Sequence, residues 1–393
     1  MFQGGNATPS KPRLRHVILI SSGFPPKGSL GGAEFQALNL SKYLWKRGSE
    51  VHVITTSERI VPYHEMVEGV FVHRVLYSKR PTFSRFASYV CFFLEIVRHR
   101  PNIVHGIGIF PDGLIACLSS RILRKPLILM SRDSDVRLEH PLIINLFWKM
   151  ILRSVQTMVV KEKESAKRLL RYGIDPQDVF VLSNGVDKSR FRLNRRKCRQ
   201  RIGLRGDEKA ILYVGRLEPV KNVESLLIAF ARIREEFRDV RLFLVGAGTQ
   251  MSRLMTIAAQ TRIDHCVNFI GELSPSDVPR YMVAADVFVL PSISEGSPNV
   301  ILEALAAGLP IIASTVGGVP DLVTDTREGF LFKAGNVGEM VNLLTLMLRD
   351  GQLRRKMSRE GRRRADEFSL DGVNDKIFQI SVHAVNKISK PQL

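Results

Sequence analysis

Thirteen short runs rich in β-branched residues, most of them followed by a stretch of helical periodicity, run along this chain, and the series restarts near its middle. In the first half the runs are 16–21, 51–56, 70–75, 102–106, 126–130, 157–161 and 179–183. In the second they are 210–214, 240–245, 267–270, 286–290, 310–313 and 329–332. They read as nearly continuous apolar stretches (HVILIS, AILYV), which is the pattern of parallel strands covered on both faces. Helix-period segments at 33–46, 86–98, 113–123, 142–153 and 162–171 separate the first set. Such an alternation, made twice, predicts two doubly wound α/β domains. A length of 393 residues also exceeds what one core usually serves. The boundary is expected near residue 190, at the head of a segment, 190–205, with eight basic residues and no acidic one. This divides the chain into a flexible N-terminus (1–15), a first domain (16–190), a second domain (191–370) and a C-terminal helix (371–393). That helix is expected to pack back towards the first domain.

Charge narrows the function classes. The chain carries 58 Lys plus Arg against 38 Asp plus Glu, a net +20. Residues 1–200 hold 33 basic and 15 acidic side chains, and residues 201–393 only 25 and 23. An excess confined to one half suggests that this half meets something anionic. No recognised nucleic-acid motif accompanies it, so nucleic acid is not an expected partner. The segment 79–100, KRPTFSRFASYVCFFLEIVRHR, interleaves basic and aromatic residues and suits an anionic membrane surface, or else a helix packed on the sheet with a basic edge. No apolar run reaches the roughly 18 residues of a spanning helix. The start of the chain lacks a secretory h-region. The four cysteines lie far apart without metal-ligand spacing. The expected location is the cytoplasm, peripheral on the inner face of the membrane.

Several strand ends carry residues suited to an anion. The first strand leads into Gly28-Ser29-Leu30-Gly31-Gly32-Ala33-Glu34 and a helix, a turn that lets backbone N–H groups approach an anion closely, although a flexible loop between strand and helix would read the same. The second half opens on a strand ending Val214-Gly215-Arg216-Leu217, with Lys221 shortly after. A planar fork and a point charge together suit a pyrophosphate, although solvated loop cations would look the same. Val245-Gly246-Ala247-Gly248 resembles a phosphate turn without the full dinucleotide fingerprint. Most specific is 290–308, LPSISEGSPNVILEALAAG. Here Glu295 lies on the loop after a strand, a helix begins near Pro298, and Glu303 lies on that Ala/Leu-rich helix. A carboxylate on such a face needs hydrogen-bond donors; sugar hydroxyls are natural ones, although a helix N-cap acid and a core Glu bonded to backbone would look the same.

EGSPNVILEALAAG resembles the Glu-x7-Glu signature of retaining glycosyltransferase family 4, whose members have the GT-B fold of two Rossmann-like domains facing one cleft. Gly31-Gly32-Ala33-Glu34, Ser183-Asn184-Gly185-Val186-Asp187 and Gly215-Arg216-Leu217 with Lys221 match further motifs of that family in order, so the resemblance spans about 17–368. It implies a nucleotide-diphosphate sugar donor and transfer to a hydroxyl of a glycan, lipid-linked or small-molecule acceptor. It also implies no cofactor and no metal, in keeping with the lack of an Asp-x-Asp site. Gly31 and Gly32 would meet the distal phosphate, and Gly215, Arg216 and Lys221 the pyrophosphate. Glu295 would hold the transferred sugar, Glu303 the ribose, and the amides of Pro298-Asn299-Val300 would assist at the phosphate. Glu295, Arg216 and Lys221 would carry catalysis, with His105 as a further candidate.

The chain departs from that pattern on the acceptor side. Where the family carries His-x-His, this chain has His105-Gly106-Ile107; where it often shows His-Gly-x-Asp, the chain reads Arg132-Asp133-Ser134-Asp135. Asp112, Asp133 and Asp135 are the carboxylates near that side, and His105 is open to being a core histidine instead. The alternatives are a catalytically impaired scaffold, a sugar-nucleotide epimerase and, more distantly, a basic nucleic-acid-binding protein.

Overall fold

A computed structural model of the chain describes residues 14–25, 32–57, 63–76, 83–131, 151–152 and 155–389. It divides into two units, Met1–Leu182 with Val373–Leu393, and Ser183–Gly372. The division lies at Leu182–Ser183, ahead of the expected 190. Val186 and Phe191 are the reason: both are buried in the hydrophobic core of the second unit.

The first unit is built on an eight-stranded sheet. Its strands are β1 (Arg15–Ile20), β2 (Glu50–Ser57), β3 (Tyr63–Val67), β4 (Val70–Leu76), β5 (Ile103–Ile107), β6 (Leu127–Met130), β7 (Thr157–Val160) and β8 (Val179–Val181). Their order is β3-β4-β2-β1-β5-β6-β7-β8, parallel except for the β3–β4 hairpin. The helices are α1 (Gly32–Lys46), α2 (Phe83–Arg98), α3 (Asp112–Leu123) and α4 (Lys163–Leu170). Strand β1 shows how the continuous apolar runs are used. Val17 and Leu19 join one core layer with Phe92 and Ile96 of α2 and Ala116 of α3, while Ile18 and Ile20 join the other with Leu40 and Leu44 of α1. The helix expected over 142–153 falls almost wholly outside the described residues. Strand β3 was not expected: YHEMV at a sheet edge is polar and half exposed, so it lacks the apolar run that marks its neighbours.

In the second unit a six-stranded parallel sheet comprises β9 (Lys209–Val214), β10 (Val240–Val245), β11 (Val267–Gly271), β12 (Val287–Leu290), β13 (Ile311–Ser314) and β14 (Gly329–Phe332). Their order is β11-β10-β9-β12-β13-β14. Counted within the unit this is 3-2-1-4-5-6, so the direction of winding reverses between β9 and β12. Ligands of doubly wound sheets sit at that reversal, beyond the carboxyl ends of the strands. The helices are α5 (Arg195–Arg201), α6 (Val223–Arg234), α7 (Met251–Gln260), α8 (Val278–Ala284), α9 (Asn299–Ala307), α10 (Val319–Leu322), α11 (Val337–Arg349) and α12 (Gly351–Glu367). A last helix, α13 (Leu370–Ser389), begins at the end of this unit and returns the chain to the first. There Val373, Ile377, Ile380 and Ala384 are buried beside Ile18, Ile20 and Leu40.

Candidate active site

The loops after β9 and β12 meet at the winding reversal of the second unit. After β9 a single 3-10 turn, Pro219–Lys221, ends at Asn222, whose left-handed backbone (φ 50°, ψ 40°) starts α6. Asn222 donates from its side chain to the Pro291 carbonyl at 3.3 Å, and Ile293 N–H donates to the Val220 carbonyl at 2.8 Å. The two loops are thereby laced together. Their meeting brings Lys221 Nζ within 2.6 Å of Glu295 Oε1, while Ser292 donates its hydroxyl to the same oxygen at 2.6 Å. Glu295 is 7% exposed and Ser292 fully buried, so the pair is held in place and faces little water. Arg216, on the same loop as Lys221, is exposed, and no hydrogen bond or ion pair to a described residue engages its guanidinium.

Backbone geometry supports the loop from beneath. Gly246 has φ 134°, and a Cβ there would lie 1.9 Å from the Gly215 carbonyl oxygen. Its glycine therefore serves a crossing of the two loops rather than a phosphate turn. Leu217 N–H donates to the Ala247 carbonyl and the Leu217 carbonyl accepts from Gln250 N–H, which continues the crossing. Tyr213, wholly buried, donates its hydroxyl to the Arg216 carbonyl at 2.8 Å. Burial, with Glu295 nearby, pushes that phenol's pKa far up, so it stays a donor.

Helix α9 supplies the remaining pieces. Pro298 precedes its first turn with no side-chain cap, so the amides of Asn299 and Val300 are not taken up by a cap. Gly308, in the left-handed conformation, ends it. Asn184 donates its side-chain amide to Asn299 Oδ1 and so ties the Ser183–Asp187 segment to the start of α9. Glu303 lies partly buried one helix turn further along, its nearest cation Arg190 at 3.9 Å. Burial raises its pKa, and Arg190 only partly opposes this. Charge is thus arranged as a cationic pair, Arg216 and Lys221, with carboxylates on either side of a helix N-terminus.

The structure therefore gathers Gly215, Arg216, Lys221, Glu295, Pro298, Asn299, Val300 and Glu303 in one unit. Ser292, Tyr213 and Asn184 are additional members; Ser292 was in plain view within LPSISEG but carries no spacing signal. Gly31, Asp133 and Asp135 lie outside the described residues, and Gly32 is the exposed first residue of α1. The sequence leaves His105 open between a catalytic role and a place in the core, and its surroundings are those of the second. It is fully buried in β5, its Nε2 lies 3.0 Å from His16 Nδ1, and burial lowers its pKa to about 4. Such a histidine is a core partner of β1. Asp112, at the start of α3, accepts from Ser21 N–H at 3.1 Å and is likewise buried.

Two family models match successive stretches of the chain, Glycosyltransferase Family 4 over residues 30–190 and Glycosyl transferases group 1 over residues 194–364. The chain belongs to these glycosyltransferases. Like them it transfers a sugar from a nucleotide sugar. A D-inositol 3-phosphate glycosyltransferase of Nocardia farcinica is 27% identical over 375 residues, covering 88% of this chain and 83% of that protein. Among solved structures, Anabaena HepE in complex with UDP superposes with a TM-score of 0.77 at 19% identity, covering 94% of this chain and 100% of that one. Sucrose-phosphate synthase from Thermosynechococcus elongatus gives 0.80 at 21% identity, with 95% and 100% covered. These likenesses establish the GT-B fold of the glycosyltransferase. No helix among its described residues is long and apolar enough to cross a membrane.

Proposed function

We propose that this glycosyltransferase binds a UDP-sugar at the winding reversal of its second unit and passes the sugar, with retention at the anomeric carbon, to a hydroxyl of an anionic acceptor. The observation that carries the reading is the part-buried Lys221–Glu295 contact just ahead of the uncapped N-terminus of α9, with Arg216 unengaged on the same loop as Lys221. Departure of a nucleoside diphosphate concentrates negative charge on the bridging phosphate, and preorganised cations in a sheltered site stabilise it. Lys221 and Arg216 take that part. Glu295 accepts from hydroxyls of the transferred sugar, Glu303 from the ribose, and the α9 amides receive phosphate oxygens. The charge is met by protein groups alone, so no metal is assigned. Uridine is favoured because a protein of the same fold, HepE, was solved with UDP and with UDP-glucose. Retention is argued from the Glu-x7-Glu resemblance.

The acceptor side rests on charge. Residues 1–200 carry 33 basic against 15 acidic side chains, which suits a phosphorylated polyol or a lipid-linked glycan precursor at the inner face of a membrane. Helix α2 adds a line of exposed apolar side chains at Phe86, Val90 and Leu94, spaced one turn apart, with Arg98 and Arg100 at its end. Such a face suits an anionic bilayer surface. The deciding experiment is a thermal-shift and calorimetric screen of UDP, GDP, ADP and their sugars, with and without EDTA. Stabilisation by uridine compounds that persists in EDTA is expected. Silence from every nucleotide would overturn the donor site and favour a scaffold.

A further inference from the structure

We propose that the first unit carries a binding site for a borderline-soft divalent metal ion, of the zinc type, formed by His52, His73 and His99. The site lies on the β2–β4 side of the first sheet, and nothing in the proposed donor chemistry uses it.

The histidines come from three elements. His52 is on β2, His73 on β4, and His99 directly follows α2. One ring nitrogen from each lies within 4.8 Å of the others. His64 of β3, the cross-strand partner of His73, and Glu95 of α2 form a second set with His73 inside the same limit. Four imidazoles and a carboxylate therefore crowd one spot, with ring centroids of His52 and His73 at 4.3 Å and 4.1 Å from that of His99. His52 and His73 are each 7% exposed, while His64 is exposed, so the group is sheltered but has a way in. A sheet edge does not need four clustered imidazoles, and a nitrogen-rich set selects zinc-like ions over magnesium or calcium.

The second nitrogens make the case specific. Ligating histidines almost always have the other ring N–H held by an acceptor. His52 Nε2 is 2.9 Å from Glu50 Oε1, and His99 Nε2 is 3.2 Å from Glu95 Oε2. His73 Nδ1 is 2.8 Å from His64 Nδ1. All three therefore have such a holder, which leaves His52 Nδ1, His73 Nε2 and His99 Nδ1 for the ion. His52 Nδ1 and His73 Nε2 now lie 2.9 Å apart. Zn–N bonds of about 2.0–2.1 Å in a tetrahedron separate two nitrogens by about 3.3 Å. That pair reaches this spacing by a widening of a few tenths of an ångström with a change of tautomer at His73 and His64, and the His99 ring closes on the ion from within 4.8 Å. The fourth position is left for water. Such an ion would clip the β3–β4 hairpin and β2 to the end of α2.

The test uses the full chain without a histidine tag, stripped of metal, with zinc chloride and cobalt chloride as probes. Calorimetry is expected to give one zinc per chain at micromolar or tighter affinity, with a raised melting temperature. Cobalt should give the intense visible band of a four-coordinate ion. His99→Gln and His52→Gln are each expected to weaken zinc at least tenfold, and His265→Gln, in the second unit, to leave it unchanged. His99 lies at a helix end, so its variant serves if His52→Gln does not fold. Substoichiometric zinc on the folded chain, or affinity indifferent to His99→Gln, overturns the site. UDP-sugar binding by the metal-stripped chain is read separately, so the two proposals fail independently.

Discussion

At the scale of single residues, Lys221 and Glu295 are both a structural contact and a working pair, and substitutions can separate the two. Removing one partner of a buried ion pair leaves the other uncompensated, whereas replacing both often does not. Lys221→Ala should lower the melting temperature by several degrees, and the double variant Lys221→Ala with Glu295→Gln should recover much of that loss. Turnover should fall about 100-fold or more in each single variant and stay low in the double; near-wild-type rates in both single variants would remove the assignment. Glu303 makes a second case. Burial keeps its pKa above the ordinary carboxylate range, so it gains a proton at a higher pH than most carboxyls. UDP affinity should therefore weaken on acidification before ordinary carboxylates titrate, and Glu303→Gln should flatten the dependence; an equal slope in both proteins would remove its ribose role. These residues were legible in the sequence because a loop glutamate, a helix and a second glutamate come in one continuous segment. Ser292 and Tyr213 were not: each hydroxyl meets a partner only three residues on, but that contact depends on how the loop turns, which residue spacing does not reveal.

Among the elements, the parallel strands were read with little error because burial on both faces demands unbroken apolar runs. The edge strand β3 escaped for the opposite reason, and the histidine cluster escaped with it. Residues 52, 64, 73 and 99 become neighbours only through the pairing of β2 and β3 with β4 and the packing of α2 over them. The same logic governs His16 and His105, which meet across β1 and β5. Each has a lowered pKa, His105 to about 4, chiefly from burial. A depressed folded-state value means that the unfolded chain takes up protons first. The stability is therefore whole above about pH 6.5 and is lost as pH falls towards 4. Each such group contributes a slope of about 1.4 kcal/mol per pH unit in that window. Urea unfolding at pH 7, 6 and 5 should show the slope, and His16→Leu with His105→Leu should reduce it. An unchanged slope would place the acid sensitivity elsewhere. For α2, Phe86→Ser with Leu94→Ser should abolish flotation with anionic liposomes at low salt, provided that the wild-type chain floats.

For the molecule as a whole, the chain leaves the first unit after Leu182 and returns to it at Val373. The two passages are tied together within the second unit. Val186 N–H donates to the Phe368 carbonyl at 2.9 Å, and Leu370 N–H donates to the Val186 carbonyl at 3.1 Å. Gly185 is required there, because a Cβ would lie 2.6 Å from Leu370 Cα. A chain ending after Gly372 keeps every donor-side residue but strips Val373, Ile377, Ile380 and Ala384 from the first core. Each buried apolar side chain is worth about 1.5–3 kcal/mol, Ala less. Such a truncation should lose the first unit's thermal transition while UDP still stabilises the second; retention of both transitions would show α13 to be dispensable. The charge asymmetry between the chain halves was readable by counting, and the return of α13 was expected, but only the structure gives its partners in the first core.

The crossing of the loops after β9 and β10 has a consequence for changing what this enzyme accepts. With Gly246 pressed on the Gly215 carbonyl, and the next turn bonded to Leu217, the floor of this crossing has no room for a side chain at Gly246. Diversity must enter from the other wall. The Ile293 side chain, exposed on the loop that leads to Glu295, lies away from that crossing. A library aimed at a different sugar or base would do best to begin with that position and leave the glycines alone.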